Sequence, residues 1–174
     1  MPSPIGHGLA ALATGWVAGG VRQPTIPWRT LAWLVALGMA PDLDLLIGRH
    51  SRETHSLGAA LIVATVAAWQ QWPLGVSRPR IWLAAFLAWS SHPILDALAL
   101  DTAPPLGVML FWPWSTDHVQ TGWSLFGPIS RRPWLWSFWT TNLMSVAREL
   151  AILVPVVVGV WWSRGRPGWG RPRL

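Results

Sequence analysis

The chain has no cysteine, no tyrosine and no lysine, and it carries few charged residues of any kind. Without cysteine it can form neither a disulfide bond nor a thiolate metal site. Because lysine is absent, all 13 residues counted as Lys or Arg are arginines, and only 11% of the 174 residues are charged. A soluble domain usually has roughly a quarter of its residues charged. The scarcity of charge therefore disfavours an ordinary soluble protein.

The residues that are abundant point to a membrane. Hydrophobic residues make up 52% of the chain, and 16 residues are tryptophan, a side chain that favours the interface between lipid and water. The net charge of +6 comes mostly from arginines in loops and tails, and no basic face is apparent that would indicate nucleic-acid binding. The expected partner is a lipid bilayer.

Apolar segments predict helices. A membrane-spanning helix needs ~20 residues, and the segments show no strict alternation that would indicate strands. Five such segments occur, at roughly residues 5–21, 28–41, 56–76, 81–100 and 144–163. The sequence therefore predicts an all-α fold, a polytopic membrane bundle of about five apolar helices.

The remaining sequence predicts one long loop and a tail. Residues 101–135 are rich in proline and tryptophan, and we expect them to pack on the protein rather than face lipid. Residues 1–163 then form a single membrane-embedded domain. The Arg/Gly/Pro-rich residues 164–174 are predicted to be disordered.

Histidine and acidic residues are concentrated in a few apolar places. Seven of the twelve lie in Asp42–Asp44, His50–His55 and His92–Asp96, and His7 opens the first apolar segment. Burying a carboxylate in hydrocarbon is costly, so such groups are usually paired, hydrogen-bonded or bound to a metal. This pattern predicts a metal site built into a membrane protein.

Following the five helices back and forth across a membrane brings the candidates to one side. The loop after the second helix and the end of the fourth helix both return to the side on which the first helix begins. The candidate metal ligands that share this side are His7, Asp42, Asp44, His50, His55, His92 and Asp96.

Each motif also has a simpler interpretation. His92 and Asp96 are four residues apart, so a helix presents them on one face to a metal, or the two side chains simply hydrogen-bond to each other. Asp42 and Asp44 need a counter-ion in an apolar setting, but they could also be a solvated or helix-capping pair. A single His7 between two glycines would mean little without its place on the shared side.

The segment from His50 to His55 mixes candidate ligands with charged neighbours. His55, which precedes the third helix, is the better ligand candidate, whereas His50 could be a surface histidine. Arg52 could hold a phosphate through paired donors, and Glu53 could carry protons; alternatively, both belong to a charged loop at the lipid head groups. Residues 107–115 could form a lid or an interfacial aromatic belt.

The arginines predict an orientation. Arginines favour the cytoplasmic side of a membrane, and eight lie on the side opposite the candidate site, against five on the site's own side. The eight are Arg22, Arg29, Arg78, Arg80, Arg164, Arg166, Arg171 and Arg173. We therefore expect a multi-pass plasma-membrane protein with a cytoplasmic C-terminus and a site facing the periplasm or cell exterior.

The order of these motifs resembles the YdjM-like family of small bacterial inner-membrane proteins, described as metal-dependent hydrolases. The motifs are His7-Gly8, Pro41–Asp44, His50–Ser56, His92–Asp96 and Leu110–Ser115. The chain departs from the family pattern at Ser51 and Arg52, where the family has Arg and Gly. More distantly, the order of ligands is similar to part of the zinc centre of the zinc-dependent phospholipase C and single-strand nuclease superfamily. That likeness implies one metal on Asp42 or Asp44, His55, His92 and Asp96, and a second on His7 with a bridging Asp96.

These observations favour a membrane-bound hydrolase that cleaves a phosphoester of a lipid or lipid-linked substrate by metal-activated water. Ligands without sulfur favour zinc, as one or two ions, and are also compatible with manganese or iron. Two alternatives stay open: a transporter of divalent ions or protons, and a membrane protein with a structural metal. The sequence leaves the oligomeric state open.

Overall fold

Five α-helices form the frame of the described residues, which are 1–20, 27–72, 75–102 and 104–165 of the computed structural model. The helices are α1 (Pro4–Gly19), α2 (Trp28–Met39), α3 (Leu57–Trp69), α4 (Arg78–Ala97) and α5 (Trp136–Gly165). Two 3₁₀ segments, Ala40–Ile47 and Glu53–His55, lie between α2 and α3. Within the described ranges no strand forms beyond two isolated bridges, so the all-α prediction is confirmed.

Local sequence signals explain where the helices begin and end. Ser3 caps α1 by accepting a hydrogen bond from the Gly6 amide at 3.2 Å, and Pro4 occupies the first turn, where a missing N–H costs nothing. Ser56 caps α3 in the same way through the Ala59 amide at 3.0 Å. The 3₁₀ segment after α2 stops at Gly48, which has a positive φ of 67°.

Helix α4 lies at the centre, in contact with α1, α2 and α3, while α1 also packs on α2 and α5. Its contact surface is built largely from alanine, with Ala84, Ala85 and Ala88 fully buried, and such small residues allow close helix packing. A Cβ on Gly38 would collide with Ala11 and the His7 carbonyl. Glycine there lets the end of α2 approach α1 directly beside His7.

The loop between α4 and α5 packs on the protein, as its composition predicted. An antiparallel bridge joins Val108 to Val119. The Met109 amide donates to the Ser51 carbonyl at 3.1 Å, and the Leu57 amide donates to the Leu110 carbonyl at 3.0 Å. The aromatic segment 107–115 therefore lies against the start of α3 and the loop before it.

Two helical segments of the described chain are long and apolar enough to cross a membrane: Trp28–Ile47 and Trp136–Arg164. The first combines α2 with its 3₁₀ extension. Helices α1 and α3 have 16 and 13 residues, fewer than the ~17 that a span needs. Helix α4 has 20 residues, but they include Arg78, Arg80 and Asp96. The five helices are present, but five membrane spans are not confirmed.

Two segment boundaries differ from expectation. The third apolar segment, expected to extend to residue 76, is helical only to Trp69, and α5 begins at Trp136 rather than near residue 144. Of the tail predicted to be disordered, Arg164 and Gly165 complete α5, and residues 166–174 lie outside the described part of the chain.

Candidate metal centre

Three helices and the loop between α2 and α3 bring all seven candidate ligands together. His7 comes from α1, Asp42 and Asp44 from the 3₁₀ extension of α2, His50 and His55 from the loop that follows, and His92 and Asp96 from α4. Five of these side chains are almost completely buried, whereas the side chains of Asp42 and His50 are each 17% exposed. We refer to the seven residues as the His/Asp cluster.

Four of its atoms form an inner group. Nε2 of His92 lies 3.0 Å from Nε2 of His55 and 3.2 Å from Oδ2 of Asp96. Nε2 of His55 lies 3.6 Å from Oδ2 of Asp96, and both ring nitrogens lie 3.6 Å from Oδ1 of Asp42. Ligand bonds of ~2.0–2.1 Å separate the ligands of a tetrahedral zinc by roughly 3.3 Å. The inner group therefore has the dimensions of a metal site.

Hydrogen bonds to the far side of each ring define where the protons lie. Nδ1 of His92 is 2.6 Å from the Gly38 carbonyl oxygen, and Nδ1 of His55 is 3.1 Å from Oδ2 of Asp44. Both oxygens only accept, so each Nδ1 carries a proton and each ring turns its Nε2 toward the inner group. Metal-binding histidines are commonly oriented in this way.

Within the described part of the chain, carboxylate oxygens of Asp42 and Asp96 lack hydrogen-bond partners. Among the described residues, Oδ1 of Asp42 and both carboxylate oxygens of Asp96 are buried without a hydrogen bond. Burial alone would lower the pKa of His55, but the carboxylates of Asp42 and Asp44 beside it raise it above its ordinary value. A cation is thus favoured between these groups, and a metal that binds there displaces a proton.

His7 extends the inner group on one side. Its ring stacks on His92 with centroids 3.6 Å apart, and its Nε2 lies 3.4 Å from Oδ1 of Asp96. Asp96 therefore presents one oxygen to His7 and the other to His55 and His92. Candidate ligand atoms of His7, Asp42 and His92 also lie within 4.8 Å of one another, so the cluster could hold one metal ion or two.

Asp44 and His50 form an outer layer. The oxygens of Asp44 accept from Thr54 Oγ1 at 2.6 Å and face His55 and His50, whose Nδ1 lies 3.0 Å away. Nε2 of His50 faces Nη2 of Arg131 at 3.1 Å. Because arginine only donates, this His50 nitrogen accepts and Nδ1 donates to Asp44. Arg131 was not among the residues expected from the sequence.

A family model described as YdjM inner membrane protein matches residues 1–166. The chain belongs to the YdjM family. The resemblance drawn from the motifs is therefore confirmed, and with it the placement in the inner membrane. No curated protein and no solved structure matches the chain.

In this YdjM-family chain, the two residues expected to assist catalysis lie outside the inner group. The Glu53 carboxylate pairs with Nη2 of Arg49 at 2.5 Å, and its side chain is 38% exposed. A backbone hydrogen bond and the arginines beside it lower the pKa of Glu53 below its ordinary value. Arg52 is exposed. Both residues lie on the loop that carries His50 and His55, at the rim of the cluster.

A cavity of about 830 Å³ opens beside the cluster. Its lining includes Asp42 and His50 of the cluster, together with Arg131 and Arg132. Asp42 is the one member of the inner group that reaches this cavity. Among the described residues, Asp117 and His118 of the loop between α4 and α5 do not approach other His and acidic side chains closely enough to share a metal ion.

Proposed function

We propose that this YdjM-family protein is a membrane-bound, metal-dependent hydrolase that cleaves a phosphoester of a lipid or lipid-linked substrate. The observation that supports it most is the inner group. Two ring nitrogens and two carboxylate oxygens converge at metal-ligand spacing, beside a cavity large enough for a substrate.

The inner group is suited to a divalent metal with nitrogen and oxygen ligands. His55, His92 and Asp96 are its buried members, and Asp42 completes the set on the cavity side. This ligand set fits zinc and also accommodates manganese or iron. When bound, such a metal lowers the pKa of coordinated water to ~7 and stabilises negative charge on an oxyanion.

The side chains around the metal site have different roles, which follow from their positions. Asp42 is placed to orient a water molecule or to accept its proton at the entrance to the cavity. His55 and His92 are held by Asp44 and by the Gly38 carbonyl, which fixes their rings before a substrate binds. At the rim of the cluster, Arg52 binds the phosphate and Glu53 transfers protons. Glu53 must then break its ion pair with Arg49.

A structural metal is the second candidate, because Asp42 would supply a fourth protein ligand beside His55, His92 and Asp96 and leave no position for water. Closed four-ligand sites are typical of structural zinc, whereas catalytic zinc usually has three protein ligands. Asp42 decides between the two: as a permanent ligand it closes the site, and as a base it leaves a position open. Transport has less support, since the buried cluster lies at one end of the helices.

We also propose that the protein crosses the membrane more than once and exposes the cluster on the outer side. Arg29, Arg78 and Arg80 lie at the starts of α2 and α4, and Arg164 lies near the end of α5. The cluster lies at the opposite ends of α2 and α4. Basic residues favour the cytoplasmic side, which leaves the cluster facing outward.

The test is metal content and phosphoester cleavage of the purified protein, with and without chelator, for the wild type and Asp96→Asn. Loss of a residue that is hydrogen-bonded to a metal ligand usually lowers metal affinity ~10–100-fold, and we expect loss of the Asp96 ligand itself to lower it at least that much. Cleavage should then disappear. Asp117→Asn is the matched control, since Asp117 is exposed. Full activity in metal-depleted Asp96→Asn would leave the hydrolase without a mechanism.

A further inference from the structure

The cavity beside the His/Asp cluster has a basic wall for which the metal site provides no role. Ligand pockets commonly measure ~300–1,000 Å³, and this cavity, at about 830 Å³, falls within that range. Besides Asp42 and His50, its lining includes two consecutive arginines, Arg131 and Arg132. Leu45, Leu100 and Leu135 add an apolar surface.

The segment that carries the arginines is fixed in place. The Ser130 amide donates to Oδ1 of Asn142 at 2.7 Å, and Nδ2 of Asn142 donates back to the Ser130 carbonyl at 3.0 Å. This pair of hydrogen bonds attaches the segment to the first turns of α5. Arg131 and Arg132 therefore project from an anchored backbone, which reduces the entropy lost when they bind a ligand.

Arg131 also connects the cavity to the cluster. Its Nη2 lies 3.1 Å from Nε2 of His50, and His50 in turn contacts Asp44, which holds His55. A guanidinium group has five N–H donors in a rigid fork. The contact with His50 uses only part of this capacity and fixes the direction of the side chain.

The two carboxylates of the cavity are engaged elsewhere. Oδ2 of Asp101 accepts from the Gly107 amide at 3.0 Å, and Asp42 faces His55 and His92. The arginines are therefore the groups best placed to meet a ligand. Planar arginine forks match the geometry of phosphate.

We propose that Arg131 and Arg132 bind a phosphate group of the substrate in this cavity, while the apolar wall contacts a hydrocarbon part. The inference rests on the proposed function, because the bound group is the phosphate of the proposed substrate. It assigns the phosphate grip to these residues and not to Arg52 alone. The phosphate could belong to a lipid or to a soluble compound, and the experiment separates these sources.

The experiment measures binding by calorimetry with detergent-purified protein, both chelator-treated and zinc-loaded. The probes are inorganic phosphate and a short-chain phosphatidic acid. We expect Arg131→Gln and Arg132→Gln each to weaken binding roughly tenfold or more, the effect of losing one charge-assisted hydrogen bond. Arg29→Gln is the matched control, since Arg29 lies at the opposite end of α2 and should change nothing.

Weaker binding of either probe in both arginine variants supports the proposal, and loss confined to phosphatidic acid assigns the phosphate to a lipid. Unchanged binding in both variants, or no binding of either probe by the wild type, overturns it. Circular dichroism confirms that each variant is folded. If the arginines bind phosphate but the zinc-loaded wild type cleaves no phosphoester, the hydrolase proposal fails and the phosphate site remains.

Discussion

Asp42 and Asp44 are separated by one residue, yet they have different surroundings because they lie in a 3₁₀ segment. With 3.0 residues per turn, positions two apart point roughly 120° away from each other. Asp42 consequently faces the inner nitrogens of His55 and His92, whereas Asp44 faces the outer nitrogen of His55. One short motif thereby supplies both a candidate ligand and the group that orients a ligand.

This difference predicts distinct effects of the same substitution. Asp44→Asn should weaken zinc binding about 10–100-fold, the usual cost of losing a partner behind a histidine ligand, while stoichiometric binding persists at saturating metal. Competition with a chromophoric zinc chelator measures the affinity, and Asp117→Asn again serves as control. An affinity equal to that of the wild type would show that Asp44 does not support His55.

Sequence reasoning reached the members of the cluster but not their arrangement. His92 and Asp96 were predictable, because a helix places residues four apart on one face. The outer roles of Asp44 and His50 were not, since they depend on which ring nitrogen each carboxylate meets. Arg131 was missed because its contact with His50 spans 81 positions of the chain and follows no periodic pattern.

Helix α5 is attached to the start of α1 by a buried carboxylate. Glu149 is fully buried, and its oxygens accept from the Ser3 amide at 2.8 Å and from the Ser3 hydroxyl. Ser3 is the cap of α1, and His7 follows one turn later. The position of His7 in the cluster therefore depends on a contact made by α5.

Glu149→Ala should lower stability through this contact. It leaves the buried Ser3 amide without its acceptor, which costs roughly 1–3 kcal/mol. We expect a lower apparent melting temperature in detergent, together with reduced binding of any metal that uses His7. Arg148→Gln, an exposed neighbour on the same helix, should leave both unchanged. An unaltered melting temperature in Glu149→Ala would contradict this role.

The predicted helices were reliable where hydropathy alone defines them and less so at their ends. The first turns of α5, from Trp136, were missed because they combine tryptophans with serine and threonine. Hydropathy does not separate such a mixture from a loop. Helix α2 continues as a 3₁₀ segment through Pro41 to Ile47, which makes the combined segment long enough to cross a membrane. Apolar patterns identified the elements, but local backbone geometry set their limits.

The whole molecule has two chemically different ends. The His/Asp cluster and the cavity occupy one end, where Leu135, just before α5, and Thr141, near its start, line the cavity. At the other end, Nη2 of Arg164 donates to the Val17 carbonyl at 3.0 Å. Gly20, after α1, lies beside the Arg80 guanidinium. Helix α5 therefore runs from the cluster end to the arginine end.

This polarity predicts the orientation in the membrane. Because arginines favour the cytoplasmic side, a phosphatase reporter that is active only in the periplasm should be inactive when fused after Leu174. A fluorescent protein fused there should be bright. The same phosphatase inserted at the exposed Gly122, in the loop between α4 and α5, should be active and serves as the internal control. The opposite pattern would place the cluster in the cytoplasm, and the substrate would then have to be sought among phosphoesters of the inner leaflet.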